Sequence, residues 1–229
     1  MTQKQTTLNA FSIIGAIEKG HVSGVNRYDI GDIGRLTPLI LLLFICLTPV
    51  VLVWSKLIPF EYRFHAFFCA LAGLGYICFK RRYGFREIGF RTDNLKSALI
   101  WNLVFCAAGG IGVYMIYHAG IMRPEIRNYL PHVYLFYIFF LSPVQEIFFR
   151  GILFAELKRA GIHSTNLFLL VSTFSFCFLH IIYRHPLILI ITFIGGLAWG
   201  IIFIKQPNIW AVSLSHSLLG ALAMGFHLI

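Results

Sequence analysis

Acidic side chains are scarce in this chain, nine Asp and Glu against nineteen Lys and Arg, and charged residues of both signs fill only 12% of its 229 positions. An ordinary soluble domain carries about twice that fraction, so a water-exposed exterior of the usual chemistry is excluded. Cysteine is sparse too. Cys46, Cys69, Cys78, Cys106 and Cys177 all fall within apolar runs, with no CxxC pair and no Cys/His ligand spacing, and they read as small packing residues rather than disulfide or zinc positions. No HExxH pair, internal repeat or low-complexity tract is present, which argues against a zinc protease of that type and against a transporter built from inverted halves. The chain does not open on a short apolar stretch with a small-residue cleavage site, so no removable leader is expected.

What fills the chain is apolar. Hydrophobic residues make up 58% of it, the mean hydropathy is +0.78, and the apolar residues come in long blocks rather than alternating patterns. Such blocks predict an all-α fold, because a segment in lipid must satisfy its own backbone and these runs are too continuous for barrel strands. The expected architecture is a polytopic transmembrane helical bundle of about seven spans, six to eight, at 36–57, 62–79, 95–119, 133–157, 165–182, 186–204 and 209–228. Residues 1–35 are too broken by glycine for a span and are expected to form an interfacial segment with a short helix near 8–17. Residues 36–229 then form one membrane domain.

The net charge of +10 does not point to nucleic acid, because the basic residues lie in short clusters between apolar runs. The densest cluster is 80–96, KRRYGFREIGFRTDNLK, read as a topology signal with some contact to anionic lipid head groups. With the N-terminus in the cytoplasm, the loops on that side collect most of the Lys and Arg, which predicts that orientation in a prokaryotic cell membrane. Gly109, Gly110 and Gly112, like Gly195, Gly196 and Gly200, are expected to permit close helix contacts. His118, His132, His163, His185 and His227 fall near span ends, where imidazole reaches water.

One apolar stretch is interrupted in a way that demands a reason. Residues 141–157 read LSPVQEIFFRGILFAEL and set Gln145, Glu146 and Arg150 inside a run that is apolar on both sides. A carboxylate and a guanidinium at bilayer depth are costly. Four residues apart on a helix, Glu146 and Arg150 share a face and can pair, which by itself is compatible with a structural ion pair that pins the helix to its neighbours. Two histidines lie within later spans, His180 one helical turn after Phe176 in FSFCFLH, and His216 in AVSLSHSLLGALA. A single membrane histidine is more often a hydrogen bonder between helices than a catalyst. Three ionisable positions on three separate spans are harder to dismiss, since together they can converge on one polar cavity. Glu146, His180 and His216 are nominally a two-His, one-carboxylate set, but with one ligand per helix nothing in the spacing enforces coordination, and no metal or other cofactor is expected.

The order Gln145-Glu146 with Arg150, then Phe176 with His180, then His216 with a small residue four positions on, resembles the EExxxR, FxxxH and HxxxN patterns of the CAAX protease and bacteriocin-processing family, also called CPBP or Abi. EIFFRGILF at 146–154 adds to the likeness, which covers 133–229. The resemblance implies a glutamic-type intramembrane endopeptidase whose partners are the lipid bilayer and a membrane-embedded peptide or protein substrate: a leader, a prenylated C-terminus or a C-terminal sorting tail. Carried over residue by residue, position 145 with His180 would activate a water, His216 would stabilise the oxyanion, Glu146 and Arg150 would hold the site together, and Phe176 would limit water beside His180.

Two positions depart from that pattern. Gln145 stands where the family has the Glu assigned as base, and a neutral amide does not take up a proton at ordinary pH. The chain as written is therefore expected to be impaired. Three readings remain open: a Glu-to-Gln replacement that keeps the geometry, a natural pseudoprotease that serves as a membrane scaffold, or an enzyme in which Glu146 does the work. The second departure is Gly220 in place of Asn. It removes a possible oxyanion donor and leaves His216, Ser213, Ser215 or Ser217 to supply one.

Overall fold

The computed structural model describes residues 30–121 and 130–228, with side chains from residue 34 onward. The expected helix at 8–17 lies outside the described residues. Arg35–Ile229 form one compact unit, which carries the site described below. Seven helices run through the described residues: α1 Ile30–Trp54, α2 Arg63–Arg81, α3 Leu95–His118, α4 Pro131–Arg159, α5 Thr165–Leu179, α6 Pro186–Lys205 and α7 Ile209–Gly225. All but α7 belong to segments long and apolar enough to cross a membrane. The protein is an all-helical, multi-pass membrane protein.

Local chemistry sets most helix ends. Pro131 and Pro186 start α4 and α6, where a missing N–H costs nothing. The Ser164 hydroxyl accepts from the Leu167 N–H and the Asn208 side chain from the Ala211 N–H, capping α5 and α7. Several boundaries differ from expectation, most clearly in α1 and α7. Helix α1 starts six residues before the expected 36 and stops at Trp54, with Lys56 in a left-handed conformation just beyond. Helix α7 stops at Gly225 rather than 228, because His227 turns left-handed and the Leu228 N–H folds back to the Ala223 carbonyl.

Although it is one of the two shortest of the seven, α7 is the most enclosed. Trp210, Leu214, Leu218 and Leu222, spaced by four, form its exposed stripe, while Ala211, Val212, Ser213, Ser215, His216, Ser217, Leu219 and Gly220 are buried. Its principal neighbours are α3 and α4. Gly109 and Gly110 of α3 lie against Leu219 and Leu222, and Gly196 of α6 against Phe176 and Thr173, where a β-carbon would leave no room for the ring. Gly112 departs from expectation: nothing lies within 4 Å of where its side chain would begin. The cysteines are free and half-buried, and Cys69 is exposed.

The basic cluster is engaged in more than topology. Glu156 of α4 is fully buried and receives two hydrogen bonds from Arg81, at 2.8 and 3.0 Å, and one from the Tyr83 hydroxyl at 2.6 Å. Burial, then the adjoining Glu156 carboxylate, pushes the Tyr83 phenol well above its usual range. Arg159 pairs with both oxygens of Glu87, at 2.5 and 2.6 Å, and donates to the Arg81 carbonyl. Arg91 pairs with Asp93 and holds that carboxyl down at about 2. The 82–94 segment is thereby strapped across the ends of α4, α6 and α7, with the Gly89 carbonyl accepting from the Ile209 N–H and the Arg91 carbonyl from Asn208 Nδ2. Lys80, Arg82 and Arg86 remain exposed.

Arg159 holds Glu87 below the usual carboxylate range. A depressed folded-state pKa contributes stability above the unfolded carboxylate pKa, and that contribution is lost as pH falls through the folded value. Glu87→Gln is expected to cost no more than about 1 kcal/mol at pH 7, as exposed pairs do. The difference from the parent should shrink in thermal melts as pH falls below the unfolded carboxylate pKa of about 4.3 and on through the lower folded value.

Candidate active site

Helix α4 is not a regular α-helix. Two wider π-helical segments, Tyr137–Leu141 and Ile147–Ile152, flank the α-helical turn Ser142–Glu146. Pro143 accounts for the first. It has no N–H to give, so the carbonyls of Ile138 and Phe139, five and four residues earlier, lose a donor. The Ser217 hydroxyl of α7 donates to the Ile138 carbonyl at 2.9 Å and replaces what the proline lacks. The second segment is served in the same way, with the Ser172 hydroxyl of α5 donating to the Phe149 carbonyl at 2.8 Å. Backbone groups released inside a membrane helix need such partners from neighbouring helices. Widened turns of this kind concentrate at functional positions.

Between the two slips the turn presents Gln145 and Glu146 to different surroundings. Glu146 is fully buried, and its Oε1 accepts from Arg150 Nη1 at 3.1 Å and from His216 Nδ1 at 2.7 Å. Arg150 is also fully buried. It donates through Nη2 to the Gly196 carbonyl at 3.1 Å and lies 4.5 Å above the Phe176 ring, so its charge is met by a carboxylate, a carbonyl and an aromatic face. His216 is enclosed by rings: Trp199 at 4.5 Å, Phe176 at 5.3 Å and Tyr137 at 6.1 Å between centroids. Trp199 is fixed in turn by its Nε1–H, which donates to the Ser215 hydroxyl at 2.6 Å.

Gln145 instead lines a cavity of about 450 Å³, walled mostly by apolar residues of α1, α2, α4 and the end of α5. His180 lines the same cavity. It opens the 3-10 turn His180–Tyr183, at the end of α5 rather than within it. Its Nδ1 lies 2.9 Å from the Phe176 carbonyl. A carbonyl only accepts, so Nδ1 carries the proton and the Nε2 of the neutral ring is left as an acceptor. Tyr137, Tyr183 and Arg63 add polar atoms to the wall, and Phe60, Phe64, Phe67 and Phe136 line it among the apolar residues.

The structure thus brings the six polar and aromatic positions of the motifs into two adjoining groups. Gln145 and His180 face the cavity; Glu146, Arg150, His216 and Phe176 pack together behind that wall and are not among the residues lining it. Gly220 is buried one turn beyond His216. Among the described residues no three His, Cys, Asp or Glu side chains are disposed to hold a metal ion. Sequence reasoning missed Tyr137, Trp199 and Ser172, and named Ser217 only as a possible oxyanion donor rather than as the partner of a π segment. Ser217 lies beside His216 on a helix of otherwise small residues, and Pro143 in mid-span was the available signal for a register slip.

Residues 128–222 match the family model described as type II CAAX prenyl endopeptidase Rce1-like, a match that covers less than half of the chain. No curated protein and no solved structure matches.

Two stability measurements follow from this geometry. Arg150→Met leaves the Glu146 carboxylate buried with His216 alone, and should cost about 3–5 kcal/mol in denaturant unfolding in detergent; adding Glu146→Leu should recover much of that loss. Ser217→Ala should cost roughly 0.6–1.7 kcal/mol, the range for hydrogen bonds between membrane helices, without loss of helical circular dichroism.

Proposed function

We propose that this chain, a member through residues 128–222 of the type II CAAX prenyl endopeptidase Rce1-like family, is an intramembrane endopeptidase fold that binds a membrane-associated peptide in the cavity and carries an impaired water-activating position at Gln145. The observation that carries this reading is the placement of residue 145 and His180 on one apolar wall, with a charge-compensated Glu146, Arg150 and His216 group fixed behind it. A mostly apolar cavity of this size suits an apolar peptide segment, a lipid-modified C-terminus or a membrane tail.

With a carboxylate at 145, that group and the His180 Nε2 would take the proton of a water between them as its oxygen bonds to the peptide carbonyl carbon. The carbonyl π electrons would move to oxygen. Collapse of the tetrahedral intermediate would break the C–N bond and return the proton to the departing amine. Glu146 does not take over this role in our reading. Its Oε1 is committed to two donors, it is fully buried, and it lies off the wall. Gln145 leaves His180 as the only basic group of the pair. The excess of Lys and Arg on alternate loops supports a cytoplasmic N-terminus, which puts the Arg63 and Tyr183 end of the cavity toward the opposite face.

The test compares the parent chain with Gln145→Glu, purified in detergent, against membrane-embedded peptides, with His180→Ala as the blank. Gln145→Glu should raise kcat by roughly 10²–10⁴-fold, the range for a positioned general base, and His180→Ala should abolish the gain. Equal cleavage by parent and Gln145→Glu would move the base to Glu146. Saturable peptide binding with no cleavage in either form would favour a scaffold, a reading that the neutral side chain at 145 makes specific.

A further inference from the structure

Hydrolysis at this wall needs a donor for the charge that develops on the carbonyl oxygen, and the candidate groups of α7 lie behind the wall rather than on it. His216 donates through Nδ1 to Glu146, is 4% exposed and does not line the cavity. The Ser215 hydroxyl accepts from the Trp199 N–H and is buried off the wall, and the Ser217 hydroxyl donates to the Ile138 carbonyl. Ser213 is buried on α7 and does not line the cavity.

Position 220 shows what replaces them. A β-carbon built on Gly220 would overlap the hydroxyl oxygen and the Cζ of Tyr137, and would lie 2.5 Å from Cε1. The phenol of Tyr137 therefore fills the space in which a residue-220 side chain would begin. A glycine at 220 and a tyrosine at 137 are one arrangement; a larger residue at 220 excludes it. Tyr137 belongs to the same helix as Gln145, two turns earlier and inside the first π segment, and it lines the same cavity as Gln145 and His180. Its ring stands edge-on to His216, at 82°. The Ser217 hydrogen bond to Ile138, the next residue, ties this backbone to α7.

We propose that Tyr137 is the oxyanion donor of this site, its phenolic O–H hydrogen-bonding the carbonyl oxygen as negative charge builds there, in the place that a side chain at 220 would otherwise take. The phenol transfers no proton. It gives a hydrogen bond that strengthens as the carbonyl oxygen gains charge, and so acts on the transition state rather than on binding. This assignment rests on the endopeptidase reading above.

The experiment uses whichever of the parent chain and Gln145→Glu cleaves peptide, and adds Tyr137→Phe, Tyr137→Ala and Tyr137→Ala with Gly220→Asn. Tyr137→Phe should lower kcat by about 10²-fold or more with KM unchanged, as loss of one such donor does, and with an unchanged melting temperature. Gly220→Asn alone should lower the melting temperature, because the amide and the phenol compete for one space. Combined with Tyr137→Ala it should restore at least tenfold of the kcat lost by Tyr137→Ala, since the amide N–H₂ then donates from the vacated position. Retention of kcat within about twofold in Tyr137→Phe overturns the assignment while leaving the endopeptidase reading intact. So does a loss carried entirely by KM. Absence of cleavage in both the parent and Gln145→Glu overturns the endopeptidase reading, and the donor assignment with it.

Discussion

The interaction on which the rest depends is the sharing of one carboxylate oxygen, Glu146 Oε1, between Arg150 and His216 in a fully buried setting. Each of the three groups would be expensive to bury alone. Together they are tolerable only if α4, α6 and α7 keep their relative positions: Arg150 must reach the Gly196 carbonyl, which needs a glycine where α6 meets Phe176, and His216 must stay within the ring of Trp199, Phe176 and Tyr137. The charge group therefore acts as a geometric clamp on three helices. The cavity wall bearing Gln145 and His180 inherits its shape from that clamp.

The backbone of α4 makes the arrangement possible. A regular helix rotates consecutive side chains by 100°, and Gln145 and Glu146 would in any case face different ways. The flanking π turns shift the phase before and after this pair, so that Tyr137 and Gln145 share the cavity while Glu146 and Arg150 share the interior. Neighbouring serines serve a carbonyl in each π segment, which suits a site embedded in an apolar bundle.

Much of this was legible in the sequence, and the limits have physical reasons. The helical class and number of spans follow from the length of apolar runs, because lipid leaves the backbone few alternatives. The pairing of Glu146 with Arg150 follows from four-residue spacing, and the outlying His180 and His216 from their isolation in apolar surroundings, whereas Phe176 came only with the family pattern. Periodicity could not show the register slips, since it presumes a uniform helix, nor the close approach of Tyr137 to Gly220, which joins residues 83 positions apart across two helices. The basic 80–96 segment was read by its charge alone. Glu156 carries no signal of its own in the sequence, and only packing reveals it as the buried anchor that engages Arg81 and Tyr83.

Helix α7 has 17 residues, roughly 25 Å of rise, against a hydrocarbon layer of about 30 Å. It also shows lipid a single narrow file, Trp210, Leu214, Leu218 and Leu222. Lipids beside that file must shorten to match it, drawing the head-group region inward on one flank of the bundle. The helix that carries His216 would thus sit in a local dimple of the bilayer, where the path from bulk water is shorter.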